Sequence, residues 1–311
     1  MNEGCQATLR VPLFAMLSLL AGGSTLAAQT VVQLDPVGGW LTLSVTLGPS
    51  DTLRFILDTG AARSALSQSA ADRLGLEATR SYTVQGASGP ATVSATTLAD
   101  LGFAGIRVRS LEALILEDRV LTPDSVDGPH PPFDGVLGFD VLRGFDEVLI
   151  SAPTGQLVLY PPGTRSDSVH PHFQPAIPFS STSGLFVTHS VTAEGDSATA
   201  ILDSGARHIV LNDAAARLPA VTPDESSRRR ITQGVGTAEV EVLEARLASL
   251  DIGDATFPGL RVRLSNLPVF SVFGLADSPA MLLGAPVLRG CPVLISYRDR
   301  TIRYCLRSTG D

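Results

Sequence analysis

Two carboxylates in this chain stand in the same setting. Asp58 follows Phe55-Ile56-Leu57 and precedes Thr59-Gly60, while Asp203 follows Ala200-Ile201-Leu202 and precedes Ser204-Gly205. An apolar run that ends at a glycine turn reads as a buried strand leaving into a loop. A carboxylate at the end of such a strand is costly unless something uses or pairs it. Two of them, 145 positions apart, can be each other's partner. Adjacent carboxylates cannot both ionise cheaply, so they share a proton and leave one base beside one acid. That pairing suits activation of water against a carbonyl. The plainer reading, in which each Asp caps its own turn, explains one copy. It does not explain why both keep the hydroxyl and the glycine.

The elements that must position these residues are duplicated as well. Val31–Leu34 aligns with Ala176–Phe179, and Trp40–Val45 with Leu185–Ser190, all strand-like in their β-branched and aromatic content. Trp40, the single Trp, is expected in the core. After the first Asp turn, Ser67 can cap a helix over Gln68 to Leu74, stopped by Gly75. After the second, Asn212 can cap Asp213 to Leu218, stopped by Pro219. Each half then shows a glycine-containing hairpin, Tyr82 to Val93 and Ile231 to Val240. Its place after the Asp turn suggests a mobile cover. Both halves close on a glycine motif: Val136-Leu137-Gly138, 80 residues after Asp58, and Leu282-Leu283-Gly284, 81 residues after Asp203. A last hairpin follows each, 148–151 to 157–160 and 293–296 to 302–305.

Apolar-apolar-Asp-(Thr/Ser)-Gly with apolar-apolar-Gly some eighty positions on resembles the aspartic peptidase superfamily. The short halves, and the Val136 to Gly144 segment, look most like its retropepsin-like members. The resemblance runs from about Val31 to Leu306. It implies a mostly β chain of two homologous barrel-like halves with short helices and the active site between them. It implies that Asp58 and Asp203 are catalytic, and that the Thr59 and Ser204 hydroxyls bond the opposite loop's backbone. Gly60 and Gly205 would let the backbone approach the carboxylates closely. The hairpin tips, Gly86, Ala87 and Ser88 with Gly234, Val235 and Gly236, would close over a peptide. The flap tip departs from pepsin in having no obvious Tyr in Gly86-Ala87-Ser88-Gly89. No cofactor and no metal are expected, and the partner is a peptide or protein substrate.

Composition supports a folded chain, with 44% hydrophobic and 17% charged residues. A net charge of -8 argues against nucleic acid. Of the 5 His, only His170-Pro171-His172 suggests ligand spacing, and it falls in a linker. There is no phosphate loop and no Gly-x-Ser-x-Gly elbow. Residues 11–21 form a short apolar core followed by small residues, which reads as a signal peptide cleaved near Ala27 or Ala28, or else as an uncleaved anchor. Export to periplasm or medium would leave Cys291 and Cys305, an even count that predicts a disulfide across the last hairpin. No later segment looks membrane-spanning, and two halves in one chain predict a monomer. The expected organisation is signal peptide 1–28, first half 29–162, linker 163–175 and second half 176–311. A non-catalytic exported peptide-binding or scaffold protein of the same fold is the alternative, as is an enzyme restricted to one partner protein.

Overall fold

The duplicated segments fold into duplicated strands. The computed structural model describes residues 29–48, 51–122, 133–166, 173–182, 186–224, 226–227, 230–232, 235–236 and 240–306. The expected leader and Gly234 lie outside them. In the first half, strand Asp51–Leu57 runs into Asp58 between Trp40–Leu47, antiparallel, and Gly135–Leu137, parallel. Gly135–Leu137 in turn pairs with Ala65–Ser67. The short strand is therefore threaded between the two arms of the Asp loop, and Gly138 arrives beside that loop. The second half repeats this: Ala280–Leu283 lies between Asp196–Leu202 and Ile209–Leu211. Phe55, Leu57, Ile201 and Leu202 are all buried, which is why the run is apolar on both faces instead of alternating.

Each sheet curls back on itself. Trp40–Leu47 also meets Gly89–Phe103 at Thr46↔Gly102 and Leu47↔Leu101. In the second half Thr192↔Asp251 makes the same closure. The two curled sheets, of 8 and 9 strands, are joined by a 6-stranded sheet to which both halves contribute. Its centre is the antiparallel pair Glu147–Ser151 and Val293–Ser296, in register Val148↔Ile295 and Leu149↔Leu294. The chain is thus mostly β, in two tandem halves.

The first expected helix forms as Gln68–Arg73, with the Ser67 hydroxyl accepting from the Ala70 amide. The second is shorter than expected. Asn212 Oδ1 does accept from Ala215 N at 2.8 Å, but only the 3-10 turn Ala215–Arg217 follows. Leu218 precedes Pro219 and is extended, as residues before proline are. The Asn212 amide also donates to Leu275 O and Ser278 O, so this cap serves tertiary structure as much as the turn.

Cys291 and Cys305 form the disulfide across the last hairpin, 14 residues apart in sequence. Closing so short a loop limits its contribution to about 3 kcal/mol or less. Cys291→Ser with Cys305→Ser should lower the urea midpoint accordingly while leaving the fold intact. An unchanged midpoint would mean that the bond constrains nothing that unfolding frees.

His189, on strand Phe186–Ala193, is buried and its Nε2 lies 3.0 Å from the hydroxyl of the buried Tyr304. Burial pushes the His189 imidazole down to about 4 and the Tyr304 phenol up. The unfolded chain, titrating near 6.5, takes up this proton first. The stability is therefore full above that value and is lost as pH falls toward 4. The loss should reach about 3 kcal/mol. Urea unfolding at about pH 7 and about pH 4.5 should show the gap, and His189→Phe should narrow it. An equal gap in the variant would assign the acid sensitivity to other groups.

Candidate active site

The two Asp loops are locked to each other by their hydroxyls. Ser204 Oγ donates to Leu57 O at 2.8 Å and accepts from Thr59 N at 2.9 Å. Thr59 Oγ1 donates to Leu202 O at 3.2 Å and accepts from Ser204 N at 3.0 Å. Both hydroxyl residues are buried, so each bond also satisfies a backbone group that could reach no water. This is why one hydroxyl recurs in each half: each loop lends its side chain to the other's backbone.

The lock brings the carboxylates together. A Cβ added at Gly60 would lie 2.6 Å from Asp203 Oδ1, and one at Gly205 would lie 2.6 Å from Asp58 Oδ1. Neither glycine has a positive φ, so close approach, not turn geometry, demands Gly here. Asp58 Oδ1 accepts from the amides of Gly60 and Ala61 at 2.8 and 2.9 Å, and Asp203 Oδ1 from Ala206 N at 3.0 Å. Burial, then the neighbouring Asp58 charge, holds the Asp203 carboxyl well above the usual range. Burial raises Asp58 too, but the Gly60 amide and the Asp203 carboxyl, which donates to it, oppose the rise. The pair therefore holds one proton between its two carboxyls over a range in which isolated carboxylates are ionised.

The closing motifs brace these loops from below. Phe139 N donates to Ala61 O and Ala285 N to Ala206 O, both at 2.8 Å. A methyl at Gly138 would sit 2.9 Å from Ala61 O, and one at Gly284 would sit 2.6 Å from His208 O. A set of duplicated motifs and a buried pair of Asp loops decide the family, and the comparison with known families agrees. The aspartyl protease family matches residues 43–141 and again residues 189–287. The chain belongs to the aspartyl protease family. A comparison with curated proteins returned no match.

The hairpin tips that are described, from the two halves, meet each other. Gly86 ends one hairpin strand, Arg80–Gly86, and Ala87 and Ser88 form its turn. Ser88 N donates to Val235 O at 3.0 Å, and a methyl on Gly236 would sit 2.7 Å from Gly89 N. Gly86 likewise abuts Val235. Gly86 and Gly236 thus let the tips approach at a distance where a side chain on either would clash. Val235 also packs on the first half's apolar cluster of Ile56, Ala65, Leu114 and Val136, together with Tyr82 and Val84 of the opposite flap.

Trp40 is not the core residue expected from its strand. It is half-buried, and its Nε1 donates across the halves to Gly205 O at 2.5 Å. Its ring meets Phe133 edge-on, and the Arg207 guanidinium stacks over it at 4.6 Å. An indole has an apolar body and one donor, so it can fill a wall and fix a loop at once. Sequence reasoning also missed Ser64 and Asp140. Asp140 accepts from Ser64 N at 2.9 Å and Ser64 Oγ at 2.7 Å, and Ser64 Oγ accepts from Gly138 N at 3.0 Å. Their places in the second half hold Ile209 and Pro286, so a search for shared residues passes over them. Among the described residues, no cluster of His, Cys, Asp and Glu could hold a metal.

Proposed function

We propose that the chain is an endopeptidase that hydrolyses peptide bonds with water activated between Asp58 and Asp203. The observation that carries this reading is the crossed contact of each carboxylate with the other loop's glycine. Asp58, the ionised member, takes a proton from water as its oxygen attacks the scissile carbonyl carbon. Asp203 gives its proton to the carbonyl oxygen, so the tetrahedral intermediate forms uncharged and without a covalent bond to the enzyme. Its collapse breaks the C–N bond. The proton on Asp58 goes to the leaving nitrogen, and a hydroxyl proton returns to Asp203. Strand Arg80–Gly86 lies at an edge of the first half's sheet, which suits an extended peptide added as a strand. Export is part of the proposal, supported by the apolar stretch at 11–21 and by a disulfide of the kind kept in oxidising compartments. One chain supplies both Asp residues, which favours a monomer.

The test is incubation of residues 29–311 with a denatured protein mixture in ¹⁸O-labelled water, across acid to neutral pH. New peptide termini carrying the label are expected from the native chain and not from Asp58→Asn. Label-free digestion, or none at any pH, would overturn the reading.

A further inference from the structure

The first hairpin is tied by side chains to the first Asp loop. Strand Arg80–Gly86 is an edge strand, paired along one side only, with Gly89–Phe103. Its Tyr82 hydroxyl donates to Glu112 Oε1 at 2.8 Å. The same oxygen accepts from the guanidinium of Arg63 at 2.5 Å, and Arg63 stands five residues past Asp58. Arg63 also lies over the Tyr82 ring, 4.5 Å from its centre. Arg80 reaches the other Glu112 oxygen at 3.4 Å. One carboxylate therefore gathers donors from the hairpin and from the loop, and the loop's cation stacks on the hairpin's ring. The register makes this possible. Ala65 and Leu114 are parallel partners, so two residues earlier Arg63 and Glu112 arrive side by side on the same face.

The composition of this tie belongs to the first half. The places of Arg63 and Glu112 are held in the second by His208 and Arg261, so no carboxylate stands where Glu112 does. There the register Ala65, Leu114 and Ala95 is replaced by Val210, Arg263 and Glu244. The ion pair of Arg263 with Glu244 joins two adjacent strands.

Inward from Arg63 the contacts continue. Ser64 is buried, its Oγ donating to Asp140 at 2.7 Å and accepting from Gly138 N at 3.0 Å. Ala61 gives its amide to Asp58 Oδ1 and its carbonyl to Phe139 N. The segment from Ala61 to Ser64 is thus fixed at both ends by bonds that hold the Asp58 loop, with Arg63 between them. Such a short run of bonded groups can carry a displacement from one site to the other.

We infer that Tyr82, Glu112 and Arg63 are positioning residues, which couple the first hairpin to the loop that carries Asp58. A peptide seated against Arg80–Gly86 then steadies that carboxylate as well as the hairpin. The inference rests on the peptidase reading for its use, but not for its test.

Hydrogen exchange at the loop amides 60–64 of the folded chain, without any peptide, reads the coupling away from the changed residue. Tyr82→Phe removes one hydroxyl and keeps the ring under Arg63. It should speed exchange at 60–64 by about tenfold, the loss of one bond to a charged group. Thr83→Val removes a hydroxyl from the exposed, opposite face of the same strand and should leave the loop unchanged. Arg63→Lys keeps the ion pair but not the planar stack, and should fall between the native chain and Tyr82→Phe. Ser64→Ala cuts the run of contacts further in. Adding Tyr82→Phe to it should change loop exchange by less than about twofold, because coupled sites are not additive. Where peptides are cleaved, Tyr82→Phe should lower kcat more than it raises KM, whereas loss of hairpin contacts alone would do the reverse. Loop exchange unchanged by Tyr82→Phe would overturn the inference, as would an equal rise with and without Ser64. Failure of the native chain to cleave any peptide would count against the peptidase reading alone, since the exchange results stand without it.

Discussion

Asp203→Asn will give a folded protein whose peptide hydrolysis is lower by ~10⁴-fold or more, and Asp58→Asn will do the same. Asn keeps the volume and most of the hydrogen bonds, but it can neither take the proton from water nor give one to the carbonyl. The double variant should cost little beyond either single one, because the two groups act as one unit. Stability should move the other way. Both carboxyls are raised in the folded state by burial. Such groups bind more protons folded than unfolded, so their contribution falls as pH rises through the folded value. Removing Asp203 should therefore raise the Tm at neutral pH. The gain should vanish once the unfolded carboxylates are themselves protonated, below about pH 3.9. The rate profile of the native chain should be bell-shaped and bounded by two values that belong to the pair. Undiminished turnover in either folded variant would mean that the loops do not share one site.

Ser204→Ala is the second large expected effect. It removes one oxygen and leaves two buried backbone groups, Leu57 O and Thr59 N, without the partners they have now. At ~1–3 kcal/mol for each unpaired group, the loss should be ~2–6 kcal/mol. Thr59→Val should strand Leu202 O and Ser204 N in the same way. The combined variant should lose less than the sum, since the four bonds form one lock. Turnover should fall with stability, because the lock sets the distance between the carboxylates. Urea unfolding and kcat measured on the same samples check this. A change under about 1 kcal/mol with kcat intact would show that the lock is ornamental.

Much of this architecture can be read in the sequence because the sequence states it twice. The Asp loops, the closing glycines, the Ser67 cap and the hairpins all recur at a near-constant offset, and comparison of the halves exposes them. The same comparison hides whatever one half has alone. Ser64 and Asp140 brace only the first loop, and Ile209 and Pro286 at the matching places look like ordinary core. The replacement of Leu114 and Ala95 by Arg263 and Glu244 needs the strand register, which the hydrophobic pattern does not supply. Trp40 misleads for a different reason. Its neighbours mark a buried strand, and nothing local indicates that its one donor serves a carbonyl 165 residues away. The shortened second helix follows from local rules that the Asn212 cap overshadowed: the residue before Pro219 cannot stay helical.

The seam at the middle of the inter-half sheet has a consequence of its own. Val148 faces Ile295, Leu149 faces Leu294 and Ile150 faces Val293, and the two strands carry the same run, Val148-Leu149-Ile150-Ser151 and Val293-Leu294-Ile295-Ser296. Such a border would accept a second copy of either side in the same alignment, since these four residues do not distinguish the halves. What the covalent connection through residues 161–176 contributes is therefore stoichiometry, one half of each kind per molecule. Without it, the halves would be free to sort by mass action into pairs of like and unlike. Only the unlike pair would set Thr59 against Ser204, so tethering fixes which two loops meet. Two separately expressed halves, mixed at rising concentration, should regain turnover with second-order kinetics. Self-paired by-products should compete, and their yield would measure how little the border itself discriminates.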